Sequence, residues 1–183
     1  AMKAAWQIKV LGQFKKPVII FIDEPAMESL GSAFSAVSSE VVAEKLNEII
    51  ETIHELGGIA GIHCCGNADW PMIFNTKVDI VNFDAFGYLD KVLLYPGDIR
   101  KFYDRGGALA WGIVPTNPVI RQETVESLVA RFDDVVGHLS KQAGIDVPTI
   151  VQQAFLCPSC GTGSLEVADA ERVFALLRDT SRA

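Results

Sequence analysis

Short apolar runs alternate with amphipathic helical repeats along almost the whole chain, and this alternation constrains the fold more than any other feature. Val18-Ile19-Ile20-Phe21-Ile22 is a β-branched, strand-sized run. Val42, Leu46, Ile49, Ile50, Ile53 and Leu56 then recur at helical spacing with Glu40, Glu44, Glu48 and Glu51 between them. They predict an amphipathic helix of about five turns, ended by Gly57-Gly58. Further strands are expected at Ile59–Ile62, at Val78–Phe83, from Ala108–Trp111 through Gly112 into Ile113-Val114, and at Thr149–Phe155. Helices are expected over residues 3–12, at Ala68–Asn75 and Pro96–Arg105, along Val125–Leu139, and at Val167–Leu177. Strands alternating with helices imply a parallel sheet, because parallel neighbours need crossover connections. Nearly continuous apolar strands imply a sheet covered on both faces. No linker or low-complexity stretch divides the 183 residues, so residues 1–183 read as a single domain.

Charge and cysteine usage narrow the function classes. Sixteen basic residues stand against 23 acidic ones, a formal charge of −7, which argues against nucleic acid as a partner, because phosphates need a basic face. The Lys15-Lys16 pair reads as a solvated loop. No apolar run approaches the roughly 20 residues that cross a bilayer, and residues 1–16 lack the pattern of an export signal. Ala1 ahead of Met2 reads as a cloning remnant, with the protein's own start at Met2. The four cysteines, Cys64, Cys65, Cys157 and Cys160, are therefore expected in a reducing cytoplasm. Clustered cysteines there point to metal or redox chemistry before disulfides.

The polar clusters fall at the ends of the strands. The first strand runs into Asp23-Glu24-Pro25, the second into His63-Cys64-Cys65-Gly66-Asn67 and the third into Asp84. The fourth runs into Pro115-Thr116-Asn117 and the fifth into Cys157-Pro158-Ser159-Cys160-Gly161. In parallel α/β folds these carboxyl ends share one rim, where sites are built. Residues about 100 positions apart can meet there.

Thiolates with imidazole select zinc among common divalent ions. His63 and Cys65, two apart in extended chain, project to one side, and Cys64 projects to the other as a small core residue. Cys157 and Cys160 have metal or redox spacing. A thioredoxin-like motif would need a helix starting at the pair, and the next expected helix lies several residues on, which favours one of the two as a zinc ligand. Asp84 either completes a tetrahedron or leaves that position open for substrate. Asp23 and Glu24 read either as substrate contacts or as loop caps before Pro25. His54 and His138 read as surface residues of the two long helices, Trp70 and Trp111 as packing before pocket walls, and Asn67 and Asn117 as orienting loops or substrate.

Ile22-Asp23-Glu24-Pro25-Ala26, His63-Cys64-Cys65-Gly66-Asn67 and Pro158-Ser159-Cys160-Gly161 together resemble the catalytic domain of cobalamin-independent methionine synthase. They also resemble its relatives, the uroporphyrinogen-decarboxylase-like corrinoid methyltransferases. The resemblance runs from about residue 17 to 165. It implies an α/β fold, a partial (β/α)8 TIM barrel of about five parallel strands with flanking helices. A whole barrel takes about 250 residues and eight strands, so the match is to the carboxyl-terminal part. It further implies zinc held by His63, Cys65 and Cys160, with Asp84 as the intervening carboxylate, and Asp23 and Glu24 beside a substrate amino group. The implied activity is methyl transfer to a zinc-activated small-molecule thiol such as homocysteine or coenzyme M. The methyl donor would be a methylated folate or a corrinoid protein.

Five strands cut from a barrel leave two open edges and an exposed inner face. The chain is therefore expected to form a homo-oligomer or to pair with a complementary barrel chain. A second class of function, a non-catalytic metal-binding or assembly subunit derived from such a barrel, fits the same residues.

Overall fold

A computed structural model describes residues 1–23 and 38–183. Its elements follow the order α1 (Met2–Leu11), β1 (Ile19–Asp23), α2 (Ser39–Glu55), β2 (Ile59–Cys64), α3 (Trp70–Asn75), β3 (Ile80–Phe83), α4 (Leu89–Val92), α5 (Pro96–Asp104), β4 (Ala108–Val114), α6 (Val125–Ala143), α7 (Val147–Gln152), β5 (Ala154–Pro158) and α8 (Val167–Thr180). Single 3-10 turns occupy Gly12–Phe14 and Pro118–Gln122.

The five strands form one sheet in the order β1-β2-β3-β4-β5, every pair parallel. In a sheet of sequentially ordered parallel strands, crossovers of the usual right hand place the connecting helices on one face. This is the arrangement of a (β/α) barrel opened along its length, and the fold is a mixed α/β, partial barrel, as expected.

Local chemistry explains the boundaries. The Asp69 side chain accepts the Met72 amide at 3.0 Å and Pro71 sits in the first turn, which starts α3. Thr124 and Ser127 cap α6 reciprocally, and Gly144, at φ 65°, ends it.

Alternation along the strands separates two faces. Ile62 and Cys64 of β2, Val81 and Phe83 of β3, and Leu109, Trp111 and Ile113 of β4 turn toward the helices and are almost wholly buried. The rings of Trp70, Phe83, Trp111 and Phe132 run in sequence through that layer, with centroids 5.9, 5.4 and 5.9 Å apart. Such pairs add specific ring contacts to their area burial.

The opposite face carries the row Asp23, His63, Asn82, Ala110 and Phe155, aligned by register across all five strands. It is not covered throughout. Phe21 and Phe155, on the two outer strands, are 45% and 47% exposed. The expectation of a sheet buried on both faces therefore holds for the central strands and fails at the edges. There, among the described residues, β1 pairs only with β2 and β5 only with β4.

The fifth strand needs correction. Residues expected to extend from Thr149 instead form α7, and β5 begins at Ala154. The Asp146 carboxylate accepts the Thr149 amide at 3.0 Å and the Thr149 hydroxyl at 2.9 Å, and Pro148 lies in the first turn. That cap starts a helix despite the β-branched residues that follow. The short α4 and the turn at Pro118–Gln122 were not foreseen either. β2 extends through His63 and Cys64, which brings both residues into the regular strand.

Candidate metal centre

His63, Cys65 and Cys160 converge. One ligating atom from each lies within 4.8 Å of the others. Strand period supplies the first two: His63 and Cys65 leave β2 on the inner side, and Cys64 between them is turned into the core at 3% exposure. Cys160 arrives from the other side of the sheet, two residues beyond the end of β5.

The turn that delivers Cys160 is tied down at Ser159. The Ser159 amide donates to Val114 O at 2.8 Å, and its buried hydroxyl lies 3.1 Å from the Thr116 amide and 3.0 Å from the Thr116 hydroxyl. Beneath it, Gly112 leaves no space for a side chain. A Cβ there would lie 2.6 Å from Phe83 O and 2.8 Å from Ser159 Cα.

The donor set fits a soft or borderline cation. Zn–S distances of about 2.3 Å and Zn–N distances of about 2.0 Å put tetrahedral donors roughly 3.5–3.8 Å apart. An ion would therefore draw these three atoms together by no more than about 1.3 Å from their 4.8 Å limit. His63 and Cys65 are half-buried and Cys160 is exposed, which leaves the group open to the cleft. Without a cation, burial pushes the Cys65 thiol up to about 11, and the neighbouring Cys160 thiol adds to the effect. A thiol so disfavoured as a thiolate gains a positive partner when an ion binds.

Two further inner-face residues support the group: Cys157, which the sequence marked as a candidate donor, and Asn82, which it did not. Asn82 Oδ1 lies 2.5 Å from His63 Nδ1, and Asn82 Nδ2 donates to Ala110 O and to Cys157 Sγ, each at 2.9 Å. Burial pushes the Cys157 thiol up to about 12. The available signal was a polar residue, Asn82, inside an otherwise apolar strand, Ile80-Val81-Asn82-Phe83.

A cleft of about 440 Å³ opens over this arrangement, lined among others by Phe21, Asp23, Asn82, Cys157 and the three candidate ligands. Asp23 is exposed at the end of β1, in register with His63. Glu24 lies outside the described residues, as do Pro25 and Ala26.

Asp84 stands apart from the three clustered donors. Its Oδ1 accepts the amides of Phe86 at 2.9 Å and Gly87 at 2.8 Å, which closes a turn after β3. Burial raises its carboxyl above the ordinary range, and those two amides and nearby His63 oppose the rise.

The other singled-out residues have structural surroundings. His54 Nε2 lies 2.7 Å from Asp79 Oδ2 on the protein surface, and His138 is exposed on α6. Trp70 and Trp111 are fully buried core residues. Asn117 accepts the Val119 amide at 2.9 Å and caps a 3-10 turn, and Asn67 is exposed.

The fold and these donors define an α/β protein with a candidate His-Cys-Cys metal centre at the carboxyl end of its parallel sheet. The chain matches no family model and no curated protein. No helix among the described residues is long and apolar enough to cross a membrane.

Proposed function

We propose that this chain binds zinc through His63, Cys65 and Cys160 and serves in methyl transfer to a small-molecule thiol. The observation that carries the reading is the convergence of one imidazole and two thiols from distant strands within 4.8 Å. The methionine-synthase-like motifs at the same strand ends supply the reaction class.

When bound, zinc lowers the pKa of a thiol in its open position and so favours the nucleophilic thiolate. The chain's own groups then act on geometry. His63, Cys65 and Cys160 supply three donors and leave the fourth position to the substrate, since Asp84 is not among the clustered donors and its Oδ1 holds the Phe86 and Gly87 amides. Asp23, at the cleft and in register with His63, suits a cationic amino group on the substrate. The substrate thiol would give its proton to solvent; a bond from its sulfur to the methyl carbon then forms as the bond between that carbon and the donor breaks, and the donor keeps the electron pair. A methylated folate or a methyl-corrinoid protein suits that donor role. A reducing cytoplasm keeps Cys65 and Cys160 available as ligands.

The exposed inner-face residues Phe21 and Phe155 favour a second reading. In it the chain is a metal-binding assembly subunit whose sheet is completed by a second copy or by a chain carrying the remaining barrel strands. Metal analysis followed by a thiol-methylation assay tests both. The expected content is one zinc per chain, lost in the double variant Cys65→Ala plus Cys160→Ala. A zinc-free wild type, or zinc unchanged in the double variant, removes the metal reading. Zinc without methylation, alone or with candidate donors and partner chains, leaves only the assembly reading.

A further inference from the structure

Asn82 is the only polar residue of β3, and all of its side-chain capacity toward the sheet is used. Ala110 O is a backbone carbonyl and can only accept. The Asn82 atom 2.9 Å from it is therefore the nitrogen, which turns Oδ1 toward His63 Nδ1 at 2.5 Å. An amide oxygen also only accepts, so the proton of that hydrogen bond belongs to His63 Nδ1. A neutral imidazole carries one N–H, and the lone pair then resides on Nε2. The second amide hydrogen of Asn82 goes to Cys157 Sγ. Asn82 reaches over β4 to Cys157 past its register partner Ala110, whose side chain is a single methyl group.

We infer that Asn82 is a positioning residue. Braced by Ala110 O and Cys157, it holds His63 as the Nδ1–H tautomer and so presents Nε2 to a metal ion shared with Cys65 and Cys160. The ionic half of this inference rests on the zinc reading above; the tautomer half does not. Hydrogen bonding at the far nitrogen of a ligating histidine orients the ring and raises its basicity, and losing such a partner typically costs 10–100-fold in metal affinity. Cys157 acts at one remove: it shares in orienting the amide without entering the cluster of ligand atoms.

The test uses the full chain with ring-15N histidine, metal-free, at about pH 8, well above the ordinary histidine pKa. The His63 signals are assigned by comparison with His63→Gln. Long-range proton–nitrogen spectra distinguish the two ring nitrogens. The expected result is protonated Nδ1 and unprotonated Nε2 in the wild type. Asn82→Leu shifts the ring toward the Nε2–H tautomer, and Asn82→Asp, which keeps an acceptor, restores Nδ1–H. A wild-type Nε2–H ring overturns the inference even where a variant fails to fold, as does an Asn82→Leu ring identical to wild type. Zinc competition against a chromophoric chelator supplies the second readout. Asn82→Leu weakens binding by about 10–100-fold, and Asn82→Asp binds at wild-type strength or tighter. Equal zinc affinity in wild type and Asn82→Leu overturns the positioning role. The predicted tautomer in a protein that binds no zinc sinks the metal reading and leaves the tautomer assignment standing.

Discussion

Gly112 lies directly beneath Ser159: a Cβ on Gly112 would come within 2.8 Å of Ser159 Cα and 2.6 Å of Phe83 O. Both neighbours are backbone atoms, which cannot swing aside as a side chain can. The turn carrying Cys160 rests on this contact.

Gly112→Ala is therefore expected to lift that turn. Overpacking of this kind costs about 1–3 kcal/mol, read as a lower urea midpoint. Displacing Cys160 also weakens zinc binding, measured by chelator competition on the folded variant. Wild-type stability and wild-type zinc affinity together would show that the turn has other support.

Zinc binding should strengthen as pH rises. In the metal-free protein the Cys65 thiol is pushed up to about 11, so it is protonated throughout the neutral range. Ligation requires the thiolate, and each thiol proton released makes apparent affinity climb roughly tenfold per pH unit below the thiol pKa. Competition titrations between about pH 6.5 and 8 measure the slope. A flat profile would mean that Cys65 keeps its proton and is not a ligand.

Asp84→Asn separates a turn residue from a ligand. The amide oxygen still accepts from Phe86 and Gly87, and the half-buried charge is gone. The expected zinc affinity stays within about threefold of wild type, because no ligand is lost. A fall of 10-fold or more would place Asp84 in the coordination sphere instead.

Phe21 and Phe155 mark the uncovered inner face at opposite edges of the sheet, 45% and 47% exposed. Open parallel edges beside exposed apolar groups favour pairing with another chain. Light scattering on the purified chain should give at least twice its 19.9 kDa mass. Phe21→Lys and Phe155→Lys should lower that mass. A stable wild-type monomer at low concentration would remove the association.

Much of the fold was legible because strands and helices write their period into neighbouring residues. The apolar run at Val18–Ile22 and the spacing of Leu46, Ile50 and Ile53 identify β1 and α2 without reference to anything distant. Period two also separated His63 and Cys65 from Cys64. The segment at Thr149 was misjudged because β-branched composition competes with a local cap, and Asp146 with Pro148 decided for helix. Cys160 could be brought near His63 only by assuming that parallel strands end on one rim.

What the sequence determined alone was the alternation of elements, the inward side of His63 and Cys65, and the identity of the soft donors, since each depends on local periodicity or on side-chain chemistry. Tertiary structure decided that Cys160 comes within 4.8 Å of His63 and Cys65, how Asp84 is occupied, and that Asn82 bridges His63 and Cys157. Those outcomes follow from strand register across the sheet, which sets distances between positions up to 97 apart in the chain and leaves no periodic trace in either segment.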